Sequence, residues 1–177
     1  PHAEIARHYP GLAKYTQNHV VRRLDTGPTD TFEIDGMAEL WFPDAQAMRL
    51  ATGSDVTRQL IEDEPRVFDG ITGLILGDAA MDDGVGGVKV IVVGQHDPGA
   101  PITADVGKGL SYASVASVAD VFRRDALWSI PEPPNTIVVV RFVDHETARS
   151  SIEAADWPLL TALRAWHAYE VREVRVV

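Results

Sequence analysis

The chain has 177 residues, a formal net charge of −10 and no cysteine. The missing cysteines exclude disulfides, thiolate metal sites and cysteine nucleophiles, and the negative balance argues against a general nucleic-acid partner, because a polyanion would repel the chain. Apolar residues are 45% of the composition, enough for a core without covalent staples, yet no apolar run reaches the roughly 20 residues that span a bilayer. A cytoplasmic protein without a membrane partner is therefore expected, with no signal peptide visible. The first residue is Pro1 rather than Met, so further residues upstream are expected.

In chain order, residues 2–9 read as the end of a helix broken by Pro10-Gly11. Residues 12–24 read as a strand and 25–31 as a loop. GMAELWF over 36–42 is a strand stopped by Pro43, after which Asp44 can cap a helix running to about Leu50. Ser54 or Asp55 caps a second helical stretch to about Asp63, with Val56, Gln59 and Leu60 at helical spacing. Residues 67–77 form another strand. The acidic, glycine-rich run over 78–87 is the clearest linker. VKVIVVG, from 88, has the continuous apolar character of a strand buried on both faces. Residues 95–109 read as a loop. Val115, Val118, Val121 and Phe122 fall on one side of a helix over 111–127, and IPEPPN over 130–135 is a rigid connector. TIVVVRFV is the next strand, a helix is expected from His145 to His167 with a bend at Trp157-Pro158, and 169–177 close the chain as a strand.

Two segments match at a spacing of 100 residues. ELWFPDAQAMRL (39–50) and VVRFVDHETARS (139–150) each have a strand ending in Phe-x-Asp and then a helix with Arg five residues after the Asp. The pairs are Phe42 and Phe142, Asp44 and Asp144, Arg49 and Arg149. The fold class expected is α+β, with two ferredoxin-like halves at 1–80 and 88–177 joined by a linker at 81–87. The first half lacks the opening strand of that unit. A sheet without an interior strand exposes unpaired backbone, so either an upstream segment or a strand from elsewhere is expected to compensate. The second strand of the second half is the weakest assignment, confined to Ala126–Ile130.

His2-Ala3, Pro10-Gly11-Leu12, Tyr15, Asn18-His19 and Asp35-Gly36 through Glu39, Trp41 and Phe42 resemble, in this order, the motifs of the EthD family of dimeric α/β-barrel proteins. The resemblance covers about residues 1–77. Residues 88–177 keep the layout without the motifs. The resemblance implies a barrel around a small-molecule cavity, closed within one chain or between the chains of a homodimer. Methylmuconolactone methylisomerases are similar around His2, Pro10-Gly11-Leu12, Tyr15 and the Glu39-x-Trp41-Phe42 strand, which implies that His2 and Tyr15 line the pocket. A shared fold does not choose a chemistry.

The candidate catalytic residues are His2, Tyr15 and Glu39. An imidazole at His2 can shuttle a proton near neutral pH. The Tyr15 hydroxyl can hold a carbonyl or phenolic oxygen. Glu39 shares a strand face with Trp41, and a carboxylate on an apolar wall beside an indole suits acid or base work. His19 and Trp41 are the candidate substrate-binding residues. Even steps along the strand lead from Tyr15 to His19 and not to Asn18, so His19 is expected to share the face of Tyr15. Each of these residues also has a structural reading: His2 at an exposed helix end, Tyr15 half-buried on a strand, Glu39 paired with an Arg. His8, His96, His145 and His167 read as structural.

No metal and no cofactor are expected. His2, His19 and Glu39 lack the spacing of a metal site, GVGG precedes a strand instead of opening a helix, and G-x-S-x-G is absent. The expected function is a cofactor-independent enzyme using acid/base chemistry on a small, largely apolar oxygenated substrate. A non-catalytic small-molecule binder of the same fold is the alternative.

Overall fold

The computed structural model describes residues 2–25, 31–77, 82, 84, 86–97, 110–154 and 158–177. The linker expected over 78–87 is described only at 82, 84, 86 and 87. Most of the loop expected over 95–109, and Trp157, lie outside the described residues.

The order of elements is α1 (His2–Ala6), β1 (Lys14–Arg23), β2 (Gly36–Trp41), α2 (Ala45–Thr52), α3 (Asp55–Asp63), a 3-10 turn at Glu64–Arg66, β3 (Thr72–Gly77), β4 (Val88–His96), β5 (Leu110–Arg123), β6 (Thr136–Phe142), α4 (His145–Ala154), α5 (Pro158–Thr161) and β7 (Leu163–Arg175). The strands form one seven-stranded sheet in the order β2-β1-β7-β4-β6-β5-β3, and neighbours are antiparallel throughout. The chain is α+β, with a curled sheet.

The two matched junctions behave alike. Asp44 Oδ1 accepts from Ala47 N at 2.8 Å and Asp144 Oδ1 from Thr147 N at 2.7 Å. Each carboxylate thus satisfies an amide that the first turn leaves without a helical partner.

Four expectations are corrected. Residues 111–127 do not form a helix. Residues 110–123 form β5, paired with β6 on one side and β3 on the other. Its valines fit a helical period, but they are β-branched and set among small Ala and Ser, and two flanking ladders override the local period. Residues 126–130 contribute only a bridge from Trp128 to Gly70. The helix expected from His145 to His167 ends earlier: α4 stops at Ala154, α5 is one turn, and β7 begins at Leu163. His167 therefore lies within a strand. The strand expected from 67 begins only at Thr72.

β4 and β6 are buried on both faces, as their unbroken apolar runs require. One face of β4 and β6, with Val90, Val92, Val138, Val140 and Phe142, packs under Ala148 and Ile152 of α4 and Leu160 of α5. The opposite face carries Ile91, Val93 and Ile137, with Tyr169 and Val171 of β7. It gathers Val20, Met37, Leu74 and Val118 from strands spread across the sheet. Fully burying each such aliphatic side chain contributes roughly 1.5–3 kcal/mol. On the helix-covered side of the first half, Ala6, Tyr15 and Leu60 form a smaller core with Ile5, Leu12 and Val56.

β3 is an edge strand with a glycine where a side chain would collide. A Cβ on Gly73 would stand 2.0 Å from the Phe122 ring, and Phe122 is the cross-strand partner of Gly73. The Arg124 guanidinium lies 5.0 Å from the same ring centroid and bonds Glu64 through Nε at 2.7 Å. The ring thus fills the bare glycine and connects β5 to the turn after α3. Gly73→Ala should displace the ring and cost about 1 kcal/mol. Gly77→Ala, with 3.8 Å to its nearest side chain, should be near neutral. Urea midpoints compare the two, and equal midpoints for both would refute the role given to the ring.

Candidate functional site

Strand alternation puts Lys14, Thr16 and Asn18 of β1 on the face away from α1 and α3. The β1–β2 register sets Thr16 opposite Glu39 and Lys14 opposite Trp41. From Asn18, Nδ2 donates to Glu39 Oε1 at 2.7 Å and to Met37 O at 3.0 Å. Lys89 Nζ, from β4, reaches the same Oε1 at 2.5 Å. Glu39 and Lys89 stand three strand spacings apart, about 14 Å in a flat sheet. Their side chains meet because the sheet curls.

Around this contact lies a cluster of charges. Lys89 Nζ also donates to Glu173 Oε1 at 3.2 Å, with Asp82 Oδ2 at 3.6 Å. Arg141 Nε faces Asp82 Oδ1 at 3.0 Å and Oδ2 at 2.9 Å, and its NH2 donates to Glu173 Oε2 at 2.6 Å. Lys14 Nζ donates to the Asp82 carbonyl. Lys89 and Arg141 thus meet the carboxylates of Glu39, Asp82 and Glu173, and Lys14 adds a third cation through the Asp82 carbonyl. Lys89, Asp82 and Arg141 are almost fully buried, where an unpaired charge would cost several kcal/mol. The Glu39 side chain keeps 12% exposure and that of Glu173 27%, so the cluster meets solvent at its carboxylates.

Electrostatics follow from this geometry. Burial raises the Tyr112 hydroxyl on β5, a Ser114 hydrogen bond opposes it, and the charges of Asp82 and Glu39 raise it further. Tyr112, the cross-strand partner of Arg141, thus senses the cluster from β5. Two polar atoms on the Glu39 side have no hydrogen-bond partner among the described residues: Thr16 Oγ1 and Asn18 Oδ1. Buried polar atoms are rarely left so. Together they offer a hydroxyl and a carbonyl oxygen beside a carboxylate.

The other expected site residues are dispersed. Tyr15 points to the opposite face from Asn18, into the core with Ala6 and Leu60. Gln17 Nε2 donates to its hydroxyl at 2.9 Å, and burial raises that hydroxyl's pKa. His2 Nδ1 lies 3.2 Å from Asp63 Oδ2, and its ring meets Phe68 edge-on. His19 is exposed, on the Tyr15 parity. Trp41 is half-buried and shares the face of Glu39. The structure therefore brings Glu39 and Trp41 to one face and leaves His2, Tyr15 and His19 away from it.

Asn18, Lys89, Arg141, Asp82 and Glu173 were missed. For Lys89 and Arg141 a signal existed: each is a lone charge inside an apolar strand, VKVIVVG and TIVVVRFV, and a buried charge demands a partner. Asp82 lies in the run read as a linker. Parity from Tyr15 leads to His19, whereas Asn18 lies on the opposite face with Glu39.

Asp82 tests the cluster. Burial opposes its ionised form, but the Arg141 bonds, the Gly84 N–H and the charges of Arg141 and Lys89 outweigh burial and hold its carboxyl below the usual range. A lowered folded pKa stabilises fully above the unfolded value near ~4, and the gain is lost as pH falls through the lower folded value. Asp82→Asn should therefore cost about 3 kcal/mol at neutral pH, and its deficit against the wild type should shrink below about pH 4. Urea unfolding at both pH values measures this. A deficit unchanged by acid would show that the charge is not what stabilises.

Residues 1–71 match the family model described as EthD domain. No curated protein and no solved structure matches the chain. The match contains Lys14, Thr16, Asn18, Glu39 and Trp41 and stops before Asp82, Lys89, Arg141 and Glu173. The segment that supplies one wall of the charged cluster is thus similar to an EthD domain.

Proposed function

We propose that the chain is a tandem of two ferredoxin-like halves whose shared sheet curls toward a barrel, and that the face carrying Glu39 binds and transforms a small oxygenated molecule without a cofactor. The observation that carries this reading is Glu39 itself. Lys89 and Asn18 fix its Oε1, while Thr16 Oγ1 and Asn18 Oδ1 beside it have no partner among the described residues. A carboxylate with one oxygen held by an ammonium and an amide is positioned to move a proton through the other. A hydroxyl-bearing or enolisable ligand would complement the two unengaged oxygens. Trp41, Met37 and Val20 supply apolar surface along the same face.

In this reading Glu39 withdraws a proton from an acidic carbon or a phenol, and Thr16 and Asn18 steady the substrate oxygens. Isomerisation, cyclisation or oxygenation through a substrate carbanion would follow from that first step. The methylisomerase-like chemistry, a cytoplasmic setting and homodimer formation through the sheet edges β2 and β3 belong to the same proposal. The alternative of a binding or carrier protein is favoured by the near-complete burial of Lys89 and Arg141, which makes the cluster rigid.

Hydrogen–deuterium exchange separates the two. A panel of small β-diketones, lactones and phenols incubated with the protein in deuterium oxide should include a member that gains deuterium at an acidic carbon. Glu39→Gln should slow that exchange by about 10²–10⁴-fold. A compound that raises the melting temperature without exchanging indicates a binder. Exchange as fast in Glu39→Gln as in the wild type would remove Glu39 from the mechanism.

A further inference from the structure

A second constellation lies at the other end of β7. His167 is six residues from Glu173, about 20 Å along the strand, and is 1% exposed. Its Nδ1 lies 2.9 Å from Asp25 Oδ1. Asp25 is an acceptor fixed from several sides: Oδ2 takes the Ala168 N–H at 2.8 Å, and Arg23 donates to Oδ1 through NH2 at 2.9 Å. In the tautomer that donates Nδ1–H to this carboxylate, the imidazole carries its lone pair at Nε2. Thr31 Oγ1 stands 3.3 Å from that Nε2. In that tautomer the hydroxyl donates to the ring.

A hydroxyl, a base and an orienting carboxylate in this sequence of contacts are the parts of an activated nucleophile. The three come from separate places, the end of β1, the segment before β2, and β7, so local sequence does not impose their meeting. Phe32 and Tyr169 pack edge-on against the imidazole and hold its plane. Phe32, next to Thr31, has φ of 56°, an unusual conformation for a bulky residue and a mark of locally imposed backbone. Its 3% exposure and the bond from Tyr169 OH to Phe32 O at 2.8 Å keep it there. Thr31 itself is exposed, so an acyl donor, and afterwards a water, can approach its hydroxyl, while the base and the carboxylate are buried.

We propose that Thr31, His167 and Asp25 form an acyl-transfer centre that accepts the acyl group of an activated ester, independent of the Glu39 site. Thr31 Oγ1 attacks the ester carbonyl as its proton passes to His167 Nε2. The bond to the leaving oxygen breaks, and that oxygen takes the proton from His167 and departs as the alcohol or phenol. The acyl group remains on Thr31 as an ester. Water, deprotonated by the same Nε2, then attacks the ester carbonyl; the bond to Thr31 Oγ1 breaks, that oxygen takes the proton back from His167, and the acyl group leaves as the acid. Asp25 is a positioning residue: it keeps Nδ1 protonated and Nε2 free to act.

The test is p-nitrophenyl acetate with the whole chain, followed by nitrophenol release and by peptide mass. One acetyl group should appear on Thr31. Thr31→Val, a surface change that leaves the core intact, should lose that labelling and slow release by about 10²-fold or more. Thr31→Ser should retain it. Asp25→Asn, if its circular dichroism matches the wild type, should move the pH profile of release, which a merely structural carboxylate would not do. Acetyl groups confined to lysines, or release unchanged in Thr31→Val, would overturn the proposal even if Asp25→Asn fails to fold.

Discussion

Two cations buried in central strands govern this structure. Lys89 and Arg141 sit on β4 and β6, the strands packed on both faces, and neither reaches water. In such a place a charge is tolerated only with opposite charge at bonding distance. Carboxylates meet that demand from β2, from the stretch between β3 and β4, and from β7: Glu39, Asp82 and Glu173. A flat sheet would keep Glu39 away from Lys89. Charge pairing and sheet curvature are thus one constraint, and each residue in the cluster is held by what the others require.

The same constraint joins the earlier and later parts of the chain. β1 lies against β7 and β3 against β5, so the first half flanks the second on both sides and supplies both edges of the sheet. Glu39 to Lys89 and Arg124 to Glu64 join residues 1–77 to residues 88–177, and Lys14 to Asp82 ties β1 to the stretch between β3 and β4. The part similar to an EthD domain brings Glu39 and the Thr16 and Asn18 oxygens that have no partner among the described residues. The remainder brings most of the charges that fix that carboxylate. Neither half contains the site by itself.

Much of the framework was readable along the chain because it depends on near neighbours. The β-branched runs at 88–94 and 136–143 have one dominant solution, a strand buried on both faces. The Phe-x-Asp junctions announced both helix caps, and Glu39 and Trp41 share a face because alternation in β2 is local. The misreadings arose where local pattern and tertiary pairing compete. β5 shows a helical spacing of valines, and two ladders made it a strand. His167 looked like a helix terminus and lies in β7 beside Asp25. Counting parity from Tyr15 chose His19, because nothing local says that Tyr15 packs under α1 and α3.

The sequence by itself determined the mixed α+β composition, the repeated strand–Asp–helix junction, the buried central strands and the presence of lone charges within them. These follow from side-chain chemistry and from periods of two and 3.6 residues. Only the tertiary structure decided which faces turn toward each other, and with that the partners of Lys89, Arg141 and His167. Those partners are remote in the chain, at separations of 50, 59 and 142 residues for Glu39, Asp82 and Asp25. No local period encodes such a contact. It is selected because a buried charge or imidazole must find its complement, and the curl of one sheet brings that complement within reach.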